Sequence, residues 1–357
     1  MKKILFRTDQ KEVSLISSKS IGNLFDSVPT NVKCCVLADK RVLDMHDPLR
    51  EQIKNKNFAI YEIANPEEEK SINSYTKIID FLSSKSFKRN DRIIGLGGGA
   101  ITDLAGFVSS TYMRGLDYIQ IPTSLLAQVD ASVGGKTAVN YGKIKNFIGT
   151  FYNPSKIIIC SEFLETLSEQ EFLNGLAEVI KHALITSDGS VDKLIKRHKQ
   201  ITDRNSATLL EIIEESIQIK ADIVTEDFTE TGKRKFLNFG HTFAHGIESA
   251  NLDKPILHGH AVIIGMMMAL DYAEHIKSID KNIHKKSMDL LEIFNFDFSD
   301  IKLDAEQIVE AMKSDKKNTN TINLVLLKDI GSPYILEEAN EERLTNFIEN
   351  FIENFEK

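Results

Sequence analysis

The sequence has no tryptophan and only three cysteines, Cys34, Cys35 and Cys160, in 357 residues. An odd count without metal-knuckle spacing argues against a disulfide framework and a cysteine-built zinc module. Reduced thiols in a cytoplasmic protein are the expectation. Basic residues do not dominate: 44 Lys and Arg stand against 52 Asp and Glu, a net charge of −8, with no long basic run. That balance argues against nucleic acid as a partner. The two N-terminal lysines are not followed by an apolar run long enough for a signal peptide. No stretch approaches a membrane span. Repeats and low-complexity linkers are missing too. What remains is 42% hydrophobic and 27% charged, the make-up of a globular protein with a sizeable core.

The length suits two domains or one large one. In the first part, short apolar runs alternate with helical ones. "CCVLAD" (34–39), "FAIYEIA" (58–64), "RIIGLGG" (92–98) and "YIQIP" (118–122) read as strands. Residues 67–86 and 101–113 read as helices. Such alternation predicts a parallel α/β sheet. From about residue 162 the apolar period becomes helical, over 171–185, 207–224, 261–276 and 286–296, and only "INLVLL" (322–327) reads as a strand. The expected architecture is therefore an α/β, parallel-sheet domain at 1–161, followed by a mostly helical domain at 162–357. A cleft between two domains is a common ligand site.

"RIIGLGGGAITDLAGF" is a strand, a glycine run and a helix, and Gly95, Gly97 and Ala100 match G-x-G-x-x-G/A. Glycines let backbone approach a phosphate, and a helix N-terminus offers unpaired N–H groups to it. A tight strand-to-helix turn alone would look the same. The pattern also wants a ribose-binding acid; Asp117 lies near the usual distance and Asp39 ends an earlier strand, and sequence order leaves both open. The tract 122–154 carries Asp130, Lys136, Lys145 and Asn146 spaced by glycines. It reads as a long loop without clear secondary structure. Its few carboxylates and its Lys and Asn suit an anionic ligand such as a phosphate ester.

Four of the nine histidines, His241, His245, His258 and His260, fall in residues 234–261. His241 and His245 share one helix face, while "LHGHA" around His258 and His260 reads as a turn. Glu178 sits among apolar residues in mid-helix, where a lone carboxylate is costly unless paired or bound. One Glu and two His with an open position form a catalytic metal arrangement. Spacing alone does not choose the two histidines.

The segments "GLGGGAITDLAGFVSSTYMRG", "IQIPTSLLAQVDASVGGKTAVN", "KNFIGTFYNP", "GLAEVIKHALI", "KADIVTEDFTETGKRKFLNFGHTFAHGIES", "LHGHAVIIGM" and "SDKKN" run in one order through nearly the whole chain. In these segments the chain resembles the 3-dehydroquinate synthase family of the shikimate pathway. The resemblance implies a homodimeric enzyme that uses NAD and one divalent metal, zinc or cobalt, on 3-deoxy-arabino-heptulosonate 7-phosphate. By motif, Glu178, His241 and His258 correspond to the metal ligands. Asp39, Glu67, Lys70, Gly98, Gly99, Asp103, Thr123, Ser124 and Asp130 correspond to the NAD contacts, with Lys136 and Lys145 nearby. Lys136, Lys145, Asn146, Lys181, Lys220, Arg234, Asn238 and His245 correspond to substrate contacts, joined by one of Lys316 and Lys317. Arg114 corresponds to an arginine presented across the dimer interface.

Four departures stand out. Ser124 replaces a threonine but keeps the hydroxyl, Pro66 replaces a glycine before Glu67, Arg41 stands where an Asn is frequent, and His260 replaces the Glu of "HGE". The implied reaction oxidises an alcohol transiently, eliminates phosphate, returns the hydride and closes the ring by an aldol step. Positioning and charge stabilisation carry most of such a reaction, which accounts for the lysines, Asn and Arg around two anions. Carboxylate-free sugar phosphate cyclases share the logic, but Lys220 and Arg234 favour a carboxylate substrate. A polyol dehydrogenase would not need the lysines, and a non-catalytic dinucleotide binder would not need the metal ligands.

Overall fold

The computed structural model describes residues 3–7, 12–18, 20–142, 144–251, 255–299, 301–314 and 321–355. The chain forms two compact units, residues 1–168 with 204–229, and residues 169–203 with 230–357. The single cut expected near 161 thus differs in one segment, because the chain returns to the first unit over 204–229.

The first unit is built on strands β1 (Lys3–Arg7), β2 (Glu12–Ser18), β3 (Cys34–Asp39), β4 (Ala59–Ile63), β5 (Arg92–Gly97) and β6 (Asp117–Pro122), a hairpin β7 (Lys136–Tyr141) and β8 (Ile144–Phe151), and β9 (Lys156–Cys160). Seven strands form one sheet in the order β1-β2-β9-β6-β5-β3-β4. Only β1 and β2 pair antiparallel in it. A parallel sheet is covered on both faces, so its strands read as continuous apolar runs. In β3, Cys34, Val36 and Ala38 face one core with Ile94, Leu96, Ile119, Ile158 and Cys160. Leu43, Leu49 and Ile53 close that side, from helices α1 (Lys40–Met45) and α2 (Asp47–Asn55). Cys35 and Leu37 face the other core, under α4 (Ile72–Ser84) and α5 (Gly99–Thr111). A short helix α3 (Pro66–Glu69) precedes α4.

The helix expected over 67–86 breaks at Lys70, because Ser71 accepts from Ser74 N and caps α4 as a separate start. The tract expected as a loop at 122–154 holds a π-helical turn (Ala127–Ala131) and the β7–β8 hairpin. Its glycines masked the alternation. Strands β1, β2 and β9 were not foreseen either; β2 mixes Glu and three Ser with its apolar residues, and β9 is only five residues long.

The second unit contains α6 (Glu169–Thr186), α7 (Asp188–Thr202), α9 (His241–Ala250), α10 (His258–His275), α11 (Lys281–Glu292), α12 (Ala305–Ser314) and α13 (Glu341–Phe355), and the ribbon β10 (Ile322–Leu327) and β11 (Pro333–Glu338). Helix α8 (Ser206–Glu226) belongs to the first unit, where Glu214 accepts from Ser17 of β2 at 2.7 Å. Helices α6 and α10 are buried over Phe172–Ile185 and Gly259–Leu270 without interruption, as central helices are. They pack on one another where a Cβ on Gly259 would lie 2.2 Å from Asn174 O. Glycine at 259 therefore lets the start of α10 touch the backbone of the helix that carries Glu178. "LHGHA" is the first turn of α10 and not the expected free turn. Strand β11 was missed because it opens with Pro and ends in two glutamates. Helix α11 begins earlier than 286 because Asp280 caps it.

Candidate active site

In the first unit, the candidate dinucleotide residues gather at the carboxyl ends of adjacent strands. Asp39 ends β3, Gly97 ends β5, and Thr123 follows β6 and donates its N–H to Gly97 O at 3.0 Å. A Cβ on Gly97 would lie 2.6 Å from Ile101 Cγ1 and 3.2 Å from Asp39 Cβ. That glycine is demanded by close packing of α5 and places Asp39 beside the turn. Gly98 is the N-cap of α5, and no side chain caps that end, which leaves first-turn N–H groups for an anion. Asp117, the other ribose candidate, begins β6 at the opposite edge, held by Arg92 at 2.9 Å. Asp39, not Asp117, lies beside the glycine turn.

The charged side chains here satisfy one another. Asp39 accepts from Arg41 Nε at 3.1 Å and Nη2 at 2.8 Å. Buried Lys70 donates to Asp103 and to Asn146. Burial pushes the Asp103 carboxyl above its ordinary value against the pull of Lys70. Asn146 has φ +54 and donates its N–H to Asn140 Oδ1 at 2.9 Å. Lys220 of α8 donates to Asp130 O at 2.7 Å and Oδ1 at 2.6 Å. Ser124 Oγ accepts from Ala127 N at 3.3 Å. Pro66 takes the first turn of α3, where its missing N–H costs nothing, so that departure leaves Glu67 in a regular turn. Lys136 and Lys145 are exposed on the hairpin.

In the second unit, three residues converge. His241 Nε2 and His258 Nε2 lie 3.6 and 3.7 Å from Glu178 Oε1, and their rings are 5.2 Å apart. These separations are too long for hydrogen bonds, and Glu178 Oε1 is buried with no hydrogen-bond partner. Tetrahedral zinc bonds of 2.0–2.1 Å would set ligand atoms roughly 3.3 Å apart. The outer ring nitrogens are occupied: His241 Nδ1 by Phe239 O at 3.2 Å, His258 Nδ1 by Glu248 Oε1 at 3.0 Å. Both Nε2 atoms are thereby directed inward. The donor set fits a divalent metal.

Electrostatics favour the charged carboxylate. Burial raises the Glu178 carboxyl, but Lys181, one turn along α6 and ion-paired with it, joins the histidines to hold it well below its ordinary value. Burial and then Lys181 keep His241 well below its usual value, hence neutral. At His258 burial works downward, and the carboxylates of Glu178 and Glu248 overcome it, raising the imidazole to about 10. The group Asp271, Glu274 and His284 is different. Its ligand atoms also lie within 4.8 Å of one another, but its two carboxylates take different ring nitrogens, at 2.6 and 3.7 Å.

His245 lies one turn from His241, exposed, with the two rings 5.7 Å apart. Arg234 is 2% exposed. Asn238 donates to Glu230 Oε1 at 2.8 Å. Lys220 and Arg234, paired in the sequence reading as carboxylate readers, fall in different units. Arg114 is exposed just before β6, at the sheet edge opposite Thr123. It stands in a strained turn where Met113, Arg114 and Gly115 all have positive φ. Lys316 and Lys317 lie outside the described residues.

Comparison with known proteins decides the family. Residues 60–174 match 3-dehydroquinate synthase N-terminal and residues 175–318 match 3-dehydroquinate synthase C-terminal. The chain belongs to the 3-dehydroquinate synthase family. It is 39% identical over 324 residues to 3-dehydroquinate synthase of Clostridium tetani, covering 90% of this chain and 86% of that one. It is 42% identical over 272 residues to that of Alkaliphilus oremlandii, covering 76% and 75%. It is 37% identical to a bifunctional 3-dehydroquinate synthase/phosphatase of Fusobacterium nucleatum, over 95% of this chain and 52% of that one. Among solved structures, 2-deoxy-scyllo-inosose synthase complexed with carbaglucose-6-phosphate, NAD+ and Co2+ aligns with a TM-score of 0.87 at 20% identity, over 98% and 100% of the two chains. ValA, a 2-epi-5-epi-valiolone synthase of Streptomyces hygroscopicus with NAD+ and Zn2+ bound, aligns at 0.86 and 21%, over 99% and 98%.

Sequence reasoning missed Glu248 and Glu230. Glu248 lies seven residues after His241, on the face of α9 that also carries His245, so the helical period could have found it. His260, expected beside His258, is 7% exposed and packs on Phe296 and Phe298 with ring separations of 5.6 and 6.4 Å. The carboxylate that steadies His258 comes from α9.

Proposed function

We propose that this 3-dehydroquinate synthase family member converts 3-deoxy-arabino-heptulosonate 7-phosphate to 3-dehydroquinate and inorganic phosphate, as a cytoplasmic homodimer using NAD and one zinc or cobalt ion. The observation that carries the reading is the convergence of Glu178 Oε1 with the Nε2 atoms of His241 and His258, a buried carboxylate oxygen without a partner inside a ring of donors. The division of labour follows: the first unit takes the dinucleotide, the second the metal. When bound, NAD removes and returns a hydride and the metal acidifies the hydroxyl that loses it.

The residues have distinct tasks. Glu178, His241 and His258 would hold the ion; Lys181 keeps Glu178 ionised. Gly98 and Gly99 at the start of α5 suit the dinucleotide's phosphates, and Asp39 suits its ribose. Thr123, Ser124, Glu67, Lys70, Asp103 and Asp130 complete that side. Lys136, Lys145 and Asn146 suit the substrate phosphate. Arg234 and Lys220 suit the substrate carboxylate, Arg by two parallel N–H bonds. Asn238 and His245 suit its hydroxyl and carbonyl oxygens, and His245 can hold or pass a proton near neutral pH. Arg114, exposed just before β6 and so at the strand end opposite Thr123, suits the partner of the dimer. Three buried free cysteines accord with a reducing compartment.

The test is incubation of the protein with the heptulosonate phosphate, NAD and Zn or Co. Inorganic phosphate and carbocyclic product should appear together with no net NADH. NADH accumulation without phosphate would instead identify a dehydrogenase.

A further inference from the structure

Arg41 stands at the ribose corner of the dinucleotide site and changes its charge. Asp39 is 4% exposed and adjoins Gly97. Its Oδ1 accepts from Arg41 N at 2.9 Å and from Arg41 Nε at 3.1 Å, and its Oδ2 accepts from Arg41 Nη2 at 2.8 Å. The Asp39 side chain is nearly covered, whereas that of Arg41 is 66% exposed. An isolated acid at the end of such a strand accepts from a ribose 2′-hydroxyl and repels a 2′-phosphate; an arginine at that corner accommodates the phosphate. Here both features share one corner, and the pair carries no net charge. The guanidinium offers a planar set of donors matched to phosphate oxygens, while Asp39 keeps lone pairs for hydroxyls.

We propose that Arg41 sets the 2′ preference of the site: it cancels the repulsion of Asp39, so the protein admits a 2′-phosphorylated nicotinamide dinucleotide as well as NAD. This rests on the reading that Asp39 meets the adenosine ribose. The alternative is a helix-end ion pair with no part in recognition.

Direct calorimetric binding of NAD+ and NADP+ to the purified full chain separates these. Wild type should bind the two within about tenfold of each other. Arg41→Ala should raise the ratio of the NADP+ to the NAD+ dissociation constant by about tenfold or more, the loss of one charge-assisted contact. Arg41→Lys should recover part of it, and circular dichroism should show both variants folded. A wild-type ratio above about a hundredfold that Arg41→Ala leaves unchanged would overturn the proposal. Asp39→Ala tests the underlying reading separately: unchanged NAD+ binding in that variant would remove Asp39 from the ribose site, and the proposal with it.

Discussion

The two units handle buried charge in opposite ways. Around the glycine turn of the first, Asp39 is bonded to Arg41, Lys70 to Asp103, and Lys220 to Asp130. In the second, Glu178 turns one oxygen to Lys181 and leaves the other beside two inward imidazole nitrogens. A ligand in the first region meets side chains that already hold partners, so single substitutions there should have graded effects. A cation in the second completes an incomplete set, so substitutions there should be close to all-or-none.

The largest effect should follow Glu178→Gln. It removes a ligand and strands the Lys181 ammonium, which is 2% exposed. Breaking a buried pair costs about 3–5 kcal/mol. Metal content should fall to background and the melting temperature should drop clearly. A variant with full metal occupancy would break the contrast between the units.

Glu248→Ala should come next. Loss of the group that orients a metal-bound His typically weakens metal affinity about 10–100-fold, measurable by chelator competition. His260→Ala should leave that affinity within about threefold, because His260 faces Phe296 and Phe298. The reverse ranking would make His260, not Glu248, the group that orients His258.

Arg234→Ala should lower kcat/KM at least about tenfold, as expected for one charge-assisted bond. The loss should be smaller for an analogue lacking the carboxylate. Equal losses would make Arg234 structural.

Metal affinity should also rise with pH. A metal at His258 Nε2 must displace a proton that the metal-free protein holds up to about 10, whereas neutral His241 has none to lose there. Ligands must be deprotonated to bind, so about one proton per ion should be released between pH 6.5 and 8.5, read from calorimetry in buffers of different ionisation enthalpy. Release of none would contradict the assignment.

The smallest effect concerns the thiols. Burial pushes Cys34 and Cys160 up to about 11 and Cys35 to about 12. The folded protein should resist alkylation at pH 8, checked by intact mass.

Much of this was readable in the chain. The strands β3, β5 and β6 announce themselves as apolar runs because both sheet faces are covered, and Glu178 announces itself as a carboxylate with no reason to be in a buried helix. The hairpin was hidden because Gly142 and Gly149 resemble loop punctuation, although alternate residues of β7 are buried. The choice of His258 over His260 was not readable from spacing. It depends on Gly259 seating α10 against Asn174 of α6 and on Glu248 arriving from another helix. The Lys220–Asp130 pair is likewise invisible in sequence, since the two lie 90 residues apart.

A cobalt titration of the metal-stripped protein, followed by its visible d–d absorption, tests the Glu178–His241–His258 assignment most directly. Saturation at one ion per chain is expected in wild type, and no such band in Glu178→Gln, His241→Ala or His258→Ala. An unchanged band and stoichiometry in these three variants would contradict it.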